Sequence, residues 1–233
     1  MSTNPTGVAL TRLTETAPLR GSDATGRERL ASLASQASGG VARWMGLAFG
    51  AELLLAAAVF GAKGITEAGI ILALSLTARV AFPLFWLAYA GGALAILFGR
   101  RLEPLQRQAR VFGLAFAASM TVHLALVATL CVIGAAPAAS VFVIFGTAAA
   151  CMYTLALFSI ARLRHALGPR GWKVLSFVSM NYLWLAFLDD FTNDFFANDL
   201  KHALFYWPFL ALTLAGPALR FAAFLRAQRT KRA

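Results

Sequence analysis

Six apolar stretches run along this chain, near 41–61, 67–98, 109–133, 138–163, 171–191 and 202–224. Each has about 20 residues or more, the length that carries a helix across a hydrocarbon layer of about 30 Å. None shows the two-residue alternation of a membrane barrel strand. In lipid the backbone must satisfy its own hydrogen bonds within each segment, which selects helices. The second stretch is the ambiguous one, about 48 Å long as a single helix. A break near Arg79 or Pro83 would divide it and make seven spans; one long helix, tilted or kinked at Pro83, is preferred.

The polar segments decide between the two counts. Lys and Arg are dense before Val41 and up to Arg43, in the second loop (Arg100, Arg101, Arg107, Arg110), in the fourth (Arg162, Arg164, Arg170, Lys173) and at the C-terminal end. The first loop has only Lys63, the third none, and the fifth Lys201 among Asp189, Asp190, Asp194 and Asp199. Thus 18 of 21 basic residues fall on alternate sides, which only an even number of spans allows. The positive-inside rule then puts both termini in the cytoplasm. The expected architecture is an all-α, polytopic six-helix transmembrane bundle over 41–224. A mobile cytoplasmic tail is expected over 1–40 and a basic cytoplasmic tail over 225–233.

Composition agrees. The 233 residues are 59% hydrophobic and 13% charged, and mean hydropathy is +0.69, which no ordinary soluble domain sustains. The net charge of +11 does not indicate nucleic acid. It sits in short loops beside apolar helices, where it sets topology and meets anionic headgroups, and no aromatics interleave it. Residues 1–40 hold no apolar run, so a cleaved signal peptide is not expected. Cys131 and Cys151 fall at depths too different for a disulfide and read as packed thiols.

Ionisable residues inside apolar helices are costly and mark candidate sites. Three qualify: Glu52, Arg79 and His123. They lie nine, twelve and ten residues from the outer ends of their stretches, all roughly 13–18 Å deep at about 1.5 Å per residue. Two readings stay open. Glu52 and Arg79 neutralise each other as a buried pair, with His123 donating to a carbonyl; or the three form one ligand site. His165 and His202 read as interface residues, and the four aspartates as a solvated acidic loop without calcium-loop spacing. No nucleophile-elbow, zinc-helix or phosphate-loop motif is present.

Three stretches carry a family resemblance. The run Arg107-Gln108-Ala109-Arg110-Val111-Phe112-Gly113-Leu114-Ala115-Phe116, followed by His123, is similar to a basic loop, helix start and haem-ligand His. Leu167-Gly168-Pro169-Arg170-Gly171-Trp172-Lys173-Val174-Leu175 resembles a Leu-Gly-x-x-Trp-x-x-Leu lead into a helix, and Tyr206 to Arg220 is similar to a closing helix. Together they resemble the ferric-reductase-like transmembrane family, which includes the haem-binding membrane subunit of the bacterial methionine sulfoxide reductase system. Asn181-Tyr182-Leu183-Trp184 suggests a divergent proteobacterial branch. The resemblance implies a bacterial inner-membrane protein in transmembrane electron transfer, an oxidoreductase-type subunit if haem b is bound. His123 would ligate the iron, Arg79 would pair with a propionate, and Phe116, Trp184, Phe187 and Phe191 would wall the macrocycle.

Where the family places further ligand histidines, this chain has Ser176 and Asp189. Haem would then be five-coordinate on His123, or take His202 as a replacement ligand, or be absent from a reused scaffold. The chain carries no flavin and nicotinamide module like that of full ferric reductases, so electrons are expected from quinol or a redox partner protein. The alternative is a haem-free scaffold or small-solute transport component built on Glu52, Arg79 and His123.

Overall fold

The structure, a computed structural model, describes residues 20–160, 163–197 and 200–232. Regular structure among them is wholly helical: α1 (Arg20–Lys63), α2 (Glu67–Phe98), α3 (Glu103–Val132), α4 (Ala139–Ile160), α5 (Arg164–Ala197) and α6 (Leu200–Arg232). The chain divides into two units, Met1–Gly39 and Gly40–Ala233; the helix packing and the cavity described below belong to the second. Of the expected tail, residues 1–19 lie outside the described residues, as does Arg162.

The helices extend beyond the apolar stretches where polar residues still favour helix. α1 begins at Arg20, and residues 27–37 are Arg, Glu, Leu, Ala, Ser and Gln, mostly adequate helix formers. α6 continues to Arg232 through the basic end expected as a tail. α2 runs unbroken through Pro83, as one long helix. Thr66 caps it by accepting from the Gly69 N–H at 3.1 Å, which satisfies one of the orphan donors of the first turn. A short 3₁₀ turn, Gly99–Leu102, joins α2 to α3, whose first turn carries Pro104. At the Gly168-Pro169 stop, α5 breaks: Gly168 has φ 64 and ψ 173, and helix resumes beyond it.

Among the described residues, four segments are long and apolar enough to cross a membrane: Gly39–Lys63, Glu67–Val132, Ala139–Ser159 and Tyr206–Thr230. The second contains both α2 and α3. α5 is not among them, because Lys173, Asn181, Asp189 and Asp190 interrupt its apolar run. Two of its polar side chains bond to neighbouring helices. Asn181 accepts from the Tyr89 hydroxyl at 3.0 Å, and Trp184 donates its indole N–H to the Thr213 carbonyl at 2.7 Å. Large apolar residues such as Leu54, Val143, Phe177 and Phe221 are exposed on the helix faces, a surface suited to lipid.

Two cores hold the helices. The larger draws on all of α2, α3, α4, α5 and α6 and is built on edge-on and tilted aromatic pairs: Phe82 of α2 lies 4.9 Å from Phe191 and 5.1 Å from Phe187 of α5, and Phe85 lies 5.4 Å from Phe116 of α3. Such ring pairs add about 0.5–1.5 kcal/mol each beyond their area. The smaller packs Ala56 and Val59 of α1 against Ile70, Ala73, Val122, Leu126 and Leu130. α6 approaches α2 closely because Gly216 has no side chain; a Cβ there would come 3.1 Å from the Tyr89 ring.

Candidate functional site

Arg79 and His123 line one cavity of about 380 Å³, within the range of about 300–1,000 Å³ usual for small-molecule sites. Five helices, α2 to α6, and the α3–α4 turn supply its walls. Phe116, Met120, Met152, Leu183 and Phe187 are among its apolar lining, while Ser75 and Arg79 gather on Tyr206 as its polar end; Asp190 also lines it. Most of the lining is apolar, with few polar groups converging on it.

His123 is held in a set orientation. Its Nδ1 lies 3.0 Å from the Thr77 hydroxyl, and that hydroxyl donates to the Leu74 carbonyl at 3.0 Å. A hydroxyl has one proton, and a carbonyl can only accept. Thr77 therefore accepts from Nδ1–H, leaving Nε2 as the ring nitrogen with a lone pair for a ligand in the cavity. A partner on the other ring nitrogen is how metal-ligating histidines are oriented. Thr77 is fully buried, and the residue pattern does not flag it, since single threonines are ordinary in apolar helices.

Arg79 places its guanidinium 4.2 Å from the centroid of the Tyr206 ring, and the Tyr206 hydroxyl lies 3.3 Å from Ser75 Oγ. Tyr206 thus ties α6 to α2 at the polar end.

Glu52 does not join this cavity. It is fully buried in the α1–α3 contact, where Oε1 accepts from the Ser119 hydroxyl at 2.9 Å. Its Oε2 has no hydrogen-bond partner among the described residues. Ser119 precedes His123 by one helical turn on the same side of α3, so the two sites are close in depth, yet Glu52 is engaged by Ser119 and does not line the cavity. Neither oxygen of Glu52 bonds to Arg79.

The remaining expected residues divide. Phe116, Phe187 and Phe191 line the cavity, whereas Trp184 is turned to Thr213. Ser176 donates to the Trp172 carbonyl at 2.7 Å within α5. Asp189 lines a separate groove with Tyr182 and Asn193, while its neighbour Asp190 reaches the cavity. Cys131 and Cys151 are free thiols. The side chains of His165, Asp194, Asp199 and His202 lie outside the described residues. No cluster of three metal-ligating side chains occurs among the described residues.

For haem, this cavity offers one oriented imidazole, aromatic walls and a guanidinium for a carboxylate. It offers no imidazole at positions 176 or 189. Ser176 and Asp189 are outside the cavity lining, so neither position supplies a second ligand to it. Comparison of the chain with family models, curated proteins and solved structures returns no match.

Proposed function

We propose that all of α1 to α6 cross a bacterial inner membrane with both termini cytoplasmic, and that the α2–α6 cavity holds haem b on His123. The alternation of basic loops supports the orientation. It makes α5 a span despite its weaker hydropathy, with Asn181 and Trp184 bonded to α2 and α6 across the helix contacts. The observation that carries the haem reading is His123, fixed through Nδ1 by Thr77 beside an aromatic-walled cavity.

In this reading Thr77 sets the imidazole tautomer, Arg79 neutralises a carboxylate, and Phe116, Phe187 and Phe191 exclude water. Haem, when bound, supplies one-electron redox chemistry. The protein would then be a ferric-reductase-like, oxidoreductase-type subunit passing electrons across the membrane, supplied by quinol or a redox partner protein.

A second reading is favoured by Ser176 and Asp189, neither of which faces the cavity. It makes the chain a haem-free scaffold or small-solute transport component, using Arg79 and His123 in the cavity and Glu52 at the α1–α3 contact. Titrating the detergent-purified apoprotein with haemin separates the two. Saturation at one haemin per chain with a shifted Soret band is expected; titration without saturation would reject the haem reading.

A further inference from the structure

The cavity is not closed on every side. α3 and α4 are the least packed of its neighbouring wall helices, and α4 leans on α5 instead. Two contacts fasten their seam: Thr121 Oγ1 and the Tyr153 hydroxyl lie 3.0 Å apart, and Arg110 bonds to the Ser159 carbonyl. Between the Thr121–Tyr153 contact and the α3–α4 turn the cavity is lined by Val141, Phe142 and Gly146 of α4, all of them exposed. A Cβ on Gly146 would meet nothing within 4 Å. Gly146 lies seven residues into α4, a helix whose apolar length suits a bilayer.

The interior is polarised. Phe116, Met152, Leu183 and Phe187 supply apolar wall, whereas Ser75 and Arg79 are drawn together on Tyr206, and Asp190 adds a carboxyl to the lining. Such a lining suits a molecule with an apolar body and one polar, hydrogen-bonding end.

We propose that the cavity is loaded sideways from the bilayer: a lipid-dissolved amphiphile passes between α3 and α4 beside Gly146, and the Thr121–Tyr153 contact limits how far the seam opens. This rests on the reading of the cavity as a ligand site. Two sources share that chemistry, a porphyrin with its carboxylates and a single-chain lipid with a carboxyl end.

The test uses the full chain in lipid vesicles with two probes, metal-free protoporphyrin and dibrominated stearate, each followed by quenching of the protein's tryptophan fluorescence. Gly146→Phe fills the opening and Gly146→Ala is the control; Thr121→Val with Tyr153→Phe releases the seam. Circular dichroism and detergent gel filtration establish that each variant is folded. Gly146→Phe is expected to slow uptake and release of the probe that binds by about tenfold, and the released seam to speed both. Binding to the wild type at rates that Gly146→Phe leaves unchanged overturns the lateral opening alone. No binding of either probe to the wild type overturns the ligand-site reading and the opening with it. Saturable binding of protoporphyrin alone assigns the porphyrin class; of stearate alone, the lipid class.

Discussion

His123 Nδ1 and Thr77 Oγ1 lie 3.0 Å apart, joining α3 to α2 across the wall of the cavity. Because the Thr77 proton is committed to Leu74, this contact decides which imidazole nitrogen carries hydrogen. It converts a lone histidine in an apolar helix into an oriented one with Nε2 available to the cavity.

Thr77→Val keeps the volume and removes the acceptor for Nδ1–H. Outer partners of this kind change ligand affinity by about 10–100-fold. Haemin titration of Thr77→Val should show weakening in that range, while Thr77→Ser stays near wild type. Equal affinity in Thr77→Val would mean that the hydroxyl orients nothing.

Glu52 and Ser119 give a prediction about stability. Ser119→Ala leaves the buried carboxyl without its donor, which costs about 1–3 kcal/mol. Glu52→Leu combined with Ser119→Ala replaces both partners by apolar groups and should recover most of that loss. Thermal unfolding in detergent, followed by circular dichroism for both variants, measures the difference. A double variant less stable than Ser119→Ala would show that the carboxyl makes further contributions.

Close approach at Gly216 gives another. Gly216→Leu must displace the Tyr89 ring and should destabilise by about 1–3 kcal/mol. Gly92→Leu, on α2 with nothing within 4 Å of its added Cβ, should be neutral or slightly stabilising. The same melting experiment compares them, and equal midpoints would contradict the tight α2–α6 contact.

Orientation can be read with reporters. A fluorescent protein fused after Arg232 should glow, and alkaline phosphatase fused at Gly134 should be active, because the first folds in the cytoplasm and the second outside it. The opposite pair of results would reverse the proposed topology.

The helices are largely legible in the sequence, and physical reasons explain what is not. The apolar run from Glu67 to Phe98 coincides with α2 because Thr66 and Gly99 bound it. α1 starts earlier than its apolar stretch because polar helix formers carry no hydropathy signal. At the site, Arg79 and His123 stand out as costly in lipid, and they share the cavity. Glu52 stands out for the same reason, yet helical depth alone does not say which face of α3 a residue meets. Thr77 and Ser119, the hydroxyls that engage His123 and Glu52, carry no charge and so give no signal; only the packing of α1, α2 and α3 pairs them. Asp189 and Asp190 are indistinguishable in sequence, but their separation of about 100° around α5 turns one to the cavity and the other to a separate groove.

The most direct measurement is the visible absorption spectrum of the detergent-purified protein, from cells supplied with haem, beside that of His123→Ala. The account predicts a Soret band and a reduced α-band in the wild type, both abolished in a folded His123→Ala. A colourless wild type, or a His123→Ala protein with an unchanged spectrum, would contradict it.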